Sequence, residues 1–253
     1  MGVTLLAAAH RPTQNSSASA EHGLRLGLLD SFELVQDGSR VQLPMSVQRV
    51  VAFVALKRHP VLRPHAAGSL WPESSEQRAA ANLRSALWRL KRSKCEAIVA
   101  TTAQLRLADD VSVDLYAASE LARNVLAGNS CDVRDPAPLA AELLPDWYDD
   151  WVLVEREYFR QVRLRALETL CEKFIDTRRL DDALAMGLAA LKGEPLRESA
   201  HRVLIRLYLV QGNVCEALRQ YRLCCRLLRP LGVEPSEQIT SLVRGIDDRE
   251  TGR

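Results

Sequence analysis

Residues Ser74 to Lys94 read SSEQRAAANLRSALWRLKRSK, and their spacing decides how the neighbouring segments assemble. Ser74 and Ser75 are good N-caps, because a hydroxyl satisfies the free N–H groups of a first helical turn. In a helix from Glu76 to about Lys94, Ala79, Leu83, Ala86, Leu87 and Leu90 then fall on one side. The opposite side carries Arg78, Asn82, Ser85, Arg89 and Arg92 at helical spacing, flanked by Arg84, Trp88 and Lys91. An Arg-rich helix face taken alone is usually only solvated, so the flanking elements decide its meaning.

Upstream, Leu24, Leu26 and Leu28 alternate with Arg25 and Gly27, while Phe32, Leu34, Val41 and Leu43 flank the turn-forming Asp37-Gly38. This predicts three short antiparallel strands. Pro44 and Ser46 open a helix whose apolar positions are Val47, Val50, Val51, Phe53, Val54 and Leu56, ended by His59-Pro60. A second short helix fits residues 63–70. After the Arg-rich helix come two apolar stretches, Ile98 to Thr101 and Gln104 to Leu107, joined by Thr102-Ala103. Strands, three helices and a hairpin in this order predict a winged helix, in which the last helix enters the major groove and the hairpin touches flanking backbone. Arginine suits guanine and phosphate, and asparagine suits adenine. The candidate DNA-binding residues are therefore Arg78, Asn82, Arg84, Ser85, Trp88, Arg89, Lys91 and Arg92, with Thr102 and Arg106 on the wing.

Charge is distributed to match. The whole chain is nearly neutral at +2, but residues 46–94 hold ten basic side chains against Glu73 and Glu76. Residues 95–150 hold three basic and eleven acidic. A local basic block is what phosphate neutralisation requires. The acidic stretch from Asp109 to Asp150 is expected to face away from DNA and to pack the helical domain beside the DNA-binding one, with Trp147, Tyr148 and Trp151 as anchors.

Beyond Asp114 the pattern is helical, with helices expected at about 114–127, 137–143 and 150–173. A 34-residue period then aligns Leu170 with Leu204, Phe174 with Tyr208, Leu180 with Val214, Ala183 with Ala217 and Leu184 with Leu218. That is the tetratricopeptide spacing. The fold class read from the chain is mainly α: an N-terminal α+β winged helix of response-regulator type, then an all-α TPR-like domain. The expected limits are a disordered tail over 1–22, the winged helix over 23–110, the helical domain over 111–246 and a tail over 247–253.

Several stretches taken in order resemble the SARP family of regulators, which pair such a winged helix with a bacterial transcriptional activator domain. They are Leu24 to Leu43, Ala80 to Arg92 (AANLRSALWRLKR), Val111 to Leu115 (VSVDL), Pro145 to Glu157 (PDWYDDWVLVERE), Glu194 to His201 (EPLRESAH), Gly212 to Tyr221 (GNVCEALRQY) and Leu231 to Ser236 (LGVEPS). The resemblance implies a cytoplasmic activator that occupies direct repeats of double-stranded DNA as a homodimer. It also implies contact with RNA polymerase, through its sigma or alpha subunit, often at secondary-metabolite genes. The chain departs from the family at the wing, where many members have Gly-Tyr and this sequence has Thr102-Ala103-Gln104.

Other functions find less support. No G-x-x-x-x-G-K-[ST], nucleophile elbow or H-E-x-x-H organises a catalytic or nucleotide site, and no cofactor is expected. The histidines are dispersed, and the six cysteines lack metal spacing and read as reduced core thiols. No apolar run is long enough for a membrane helix. The alternative is a TPR-like adaptor whose N-terminal domain docks something other than DNA.

Overall fold

The computed structural model describes residues 23–129 and 137–244, so the tails expected over 1–22 and 247–253 lie outside the described residues. Strands β1 (Leu24–Gly27), β2 (Glu33–Gln36), β3 (Ser39–Arg40) and β7 (Val111–Val113) form one sheet in the order β3-β2-β1-β7. The β2–β3 hairpin turns at Asp37 and Gly38, both with positive φ. Because the loop holds only those two residues, pairing resumes at once between Gln36 and Ser39. The third strand therefore sits at Ser39–Arg40 rather than at the expected Val41 and Leu43. β7 lies parallel to β1, with Leu24 opposite Val111 and Leu26 opposite Val113, all four buried.

Helices α1 (Met45–Lys57), α2 (Arg63–Leu70) and α3 (Glu76–Arg92) follow. Strands β5 (Ile98–Ala100) and β6 (Gln104–Leu107) make the wing, and β4 (Val61–Leu62) pairs with β6 to complete a second sheet, β4-β6-β5. Every residue from Val50 to Leu56 is buried, which makes α1 the central beam of this half.

The core around α1 does not stop at residue 110. It takes in Val111, Val113, Leu115, Leu143, Leu144, Val152 and Phe159. Asp114 opens helix α4 (Asp114–Leu126) and accepts hydrogen bonds from the Leu28 N–H at 2.9 Å and the Leu29 N–H at 3.1 Å. Arg156 donates to the carbonyls of Leu143 (2.7 Å), Leu144 and Trp147 (2.6 Å). Arg49 of α1 pairs with Asp149, and Phe53 meets the Trp151 ring edge-on at 5.2 Å. Trp147 stacks on Phe32 at 6.0 Å. Trp147 and Trp151 therefore do anchor the join. Tyr148 does not: it is 79% exposed, because its position between them points it outward.

The remaining helices are α5 (Ala137–Ala140), α6 (Asp150–Asp176), α7 (Leu180–Gly193), α8 (Glu198–Val210), α9 (Val214–Leu228) and α10 (Glu237–Val243). The expected helix over 137–143 closes at Ala140, because Leu143 and Leu144 turn to pair with Leu29 and Leu28 in the loop after β1, Leu144 with a φ of 41°. The pairs α6–α7 and α8–α9 are the two 34-residue copies. Gly187 sets their approach, since a Cβ there would lie 2.5 Å from a Leu204 methyl. Cys95, Cys171 and Cys224 are buried, and burial pushes the Cys171 thiol up to about 12. Cys215 is exposed on α9, contrary to the expectation of core thiols throughout. Among the described residues, no helix is long and apolar enough to cross a membrane.

Two outcomes follow from this packing. Asp114→Ala strands two backbone donors next to the core and should cost about 1–3 kcal/mol in urea unfolding. A fragment ending at Asp110 loses β7 and Asp114 and should show no cooperative unfolding transition. The second outcome concerns His201, which is 1% exposed, with Nε2 2.9 Å from the Pro195 carbonyl and Nδ1 2.8 Å from the Gln220 amide. The Pro195 carbonyl requires a proton on Nε2, so Nδ1 accepts and the ring is neutral. Burial holds its pKa below the ordinary 6.5. As pH falls below that value the unfolded chain takes up a proton that the folded chain refuses, so stability drops. His201→Gln should flatten the dependence of unfolding free energy on pH below 6.5, even if the variant is less stable at neutrality.

Candidate nucleic-acid interface

Helix α3 buries Ala79, Leu83, Ala86 and Leu90, which fixes which residues face outward. Arg78, Arg84, Ser85, Trp88, Arg89, Lys91 and Arg92 are exposed and Asn82 is half-buried. Their spacing divides them into two rows. Arg78, Asn82, Ser85, Arg89 and Arg92 run along the outer side, while Arg84, Trp88 and Lys91 run along the side that meets the wing. Arg78, Arg84, Arg89 and Lys91 have no ion pair among the described residues, so their charge is available. Arg89, Lys91 and Arg92 sit in the last turn, where the negative end of the helix dipole favours cations.

Trp88 projects into solvent at 58% exposure with the Arg92 guanidinium over its ring at 4.8 Å. It braces no neighbouring helix. The pair presents a flat apolar plate backed by a positive charge.

Between the second half of α3 and the hairpin lies a trough of about 870 Å³ lined by Arg63, Trp88, Lys91, Lys94 and Arg106. Glu96, Asp109 and Asp110 line it too. Asp109 and Asp110, the start of the stretch expected to face away, therefore lie on the basic side instead, because the turn between β6 and β7 comes down beside the end of α3. Arg106 is tied down within it, donating to Asp109 at 2.7 Å and to the Leu107 carbonyl at 3.2 Å. Thr102 is exposed at the wing tip. The turn itself is held by Thr101, whose Oγ1 accepts from the N–H of Gln104 at 3.0 Å.

A second hollow of about 630 Å³ lies between α2 and α3 and reaches Arg63, Arg84 and Thr102. Arg63 belongs to both hollows, and sequence reading missed it except as one charge in the basic block. Its backbone N–H donates to the Ala103 carbonyl at 2.9 Å, and its guanidinium donates to the Thr101 carbonyl at 3.0 Å. One residue at the start of α2 thus holds the wing turn from both ends. Its position directly before Pro64, at a helix start, is the only sequence signal for this.

In comparison with known proteins, residues 136–246 match the family described as bacterial transcriptional activator domain. Among solved structures, the chain is similar to Mycobacterium tuberculosis EmbR in complex with a low-affinity phosphopeptide. The TM-score is 0.70 at 22% identity, over 90% of this chain and 66% of that one. At that identity the likeness is one of fold, and it bears out a winged helix followed by a helical-repeat domain. The chain spans just under two thirds of that protein's length. No curated protein matches.

Arg63→Ala removes the guanidinium hold on the Thr101 carbonyl while keeping the backbone bond to Ala103 and leaving α3 intact. It should raise hydrogen exchange at Thr101 to Gln104 and leave exchange across α3 unchanged. Arg63→Lys keeps the charge but loses the planar fork, so it should loosen the turn as well. An unchanged exchange pattern in both variants would show that the clasp is idle.

Proposed function

We propose that the chain is a transcription regulator of the SARP type, a sequence-specific, DNA-binding activator of the cytoplasm. In this reading α3 lies in the major groove and the wing rests on flanking backbone. The observation that carries it is the outward face of α3, where exposed cations have no ion pair among the described residues, beside a hairpin clasped in place. The DNA-binding role belongs to residues 23–110 and the activating role to 111–246, the two being joined through a common core.

Each candidate has a distinct task. Arg89 and Arg78 reach guanine edges or phosphates, and Asn82 and Ser85 read adjacent bases. Lys91 and Arg92 neutralise backbone, and the Trp88 plate packs on sugar or a thymine methyl. Thr102 meets flanking phosphate. Arg106 contributes only when Asp109 releases it. One winged helix reads few base pairs with modest affinity, so the working complex is two protomers in the same orientation on a direct repeat. With half-sites about 10–10.5 bp apart, both copies lie on one face of the duplex and present their helical domains to RNA polymerase.

Fluorescence anisotropy on selected duplex DNA at varied salt tests this reading. Arg89→Ala should cost about 1–3 kcal/mol of binding free energy. Lys91→Ala should flatten the logarithmic salt dependence by about 0.9, the share of one phosphate. Wild-type binding by Arg89→Ala would overturn the assignment of the α3 face, and a wild-type chain that binds no duplex would favour the adaptor reading instead.

A further inference from the structure

Helix α9 carries a second basic surface far along the chain from the DNA-binding face. Arg219, Arg222, Arg226 and the following Arg229 recur at spacings of three, four and three, and all four are exposed. That rhythm keeps them in one nearly straight row along the helix. The opposite side is the buried one, with Ala217, Leu218, Gln220, Cys224 and Leu228. The Arg219 side chain is 74% exposed and, among the described residues, pairs with the neighbouring Glu216 of its own helix at 2.9 Å. The row borders a shallow hollow of about 430 Å³. Guanidinium groups in a row recognise carboxylates or phosphates and also stack on aromatic rings.

The complementary surface lies at the other end of the same helical stack. Asp146 and Asp150 are exposed beside the join with the winged helix. Between and beyond them stand Tyr148 at 79%, Val154 at 69% and Tyr158 at 68% exposure. Val154 and Tyr158 are one turn apart on α6, so the patch runs along that helix from its acidic start. It is acidic, aromatic and unpartnered among the described residues. Its chemistry is what an arginine row takes.

We propose that the α9 arginine row of one copy docks on the Asp146–Tyr158 face of a second copy. The inference rests on the direct-repeat reading above. Two protomers in the same orientation on a repeat cannot meet through identical surfaces; they meet head to tail, through two different patches that complement each other. Here the two patches sit on different ends of one domain, with opposite charge, and each leaves α3 uncovered. The contact supplies the cooperativity that a single winged helix lacks.

The test compares a duplex with one half-site to a duplex with two. Arg222→Glu with Arg226→Glu should leave single-site affinity unchanged and lower two-site cooperativity about tenfold, the sum expected of a few exposed ion pairs. Adding Asp146→Arg and Asp150→Arg to the same chain reverses both patches and should restore cooperativity. Unchanged cooperativity in the double variant overturns the proposal. So does a fall in single-site affinity, which would mean that the row binds DNA, and so does failure of the swapped chain to recover. If wild type binds neither duplex, the DNA-binding reading has failed instead.

Discussion

The carboxylate of Asp114 holds the place where the two halves of the chain become one. It stands at the end of β7 and the start of α4, and its oxygens take the backbone N–H groups of Leu28 and Leu29 as they leave β1. A strand leaving a sheet has donors with no ladder partner, and burying them unpaired is costly. Asp114 satisfies them from a residue 86 positions away. The parallel pairing of β1 with β7, the bridge from Leu29 to Leu143 and the seating of Leu144 all depend on that exit being fixed.

This continuity explains why α1 is so completely buried. One side of it supports α3 and the wing; the other meets Trp151 and the Arg49–Asp149 pair. The ion pair is partly sheltered and Arg49 also donates to the Leu70 carbonyl at 2.8 Å, so its geometry is fixed by more than the opposite charge. Removing charge from the solvent face of α3 leaves this support untouched, whereas disturbing the aromatic join reaches α3 through α1. The binding surface and the stability of the fold are thus carried by different side chains.

How much of this was legible beforehand differs by element. The helices of the winged half read well because Ala79, Leu83, Ala86 and Leu90 repeat over about three turns and the helix ends are marked locally. The 34-residue period exposed the α6–α7 and α8–α9 pairs for the same reason. β4 and β7 escaped, because two or three residues cannot show a period and their partners lie some 43 and 87 positions away in sequence. Arg163 could not have been found either. It is 1% exposed on α6, with Glu142 at 3.5 Å, yet an arginine in a helical pattern reads as solvated. In the site, the outward row on α3 came from spacing. The clasp by Arg63 and the capture of Arg106 by Asp109 did not, since they depend on where the hairpin comes to rest.

The common core also turns operator spacing into an angle. Because α3 and the helical repeats share α1 as support, seating α3 in a groove sets the direction in which the repeats project around the duplex. A shift of one base pair rotates that direction by about 35° as well as moving it ~3.4 Å along the axis. Exposed ion pairs act only within about 4 Å, so a rotation of two base pairs carries an outlying surface well out of their reach. A promoter for such a protein is therefore constrained in phase and in length together, because a whole-turn insertion restores the angle but moves the second copy ~34 Å away.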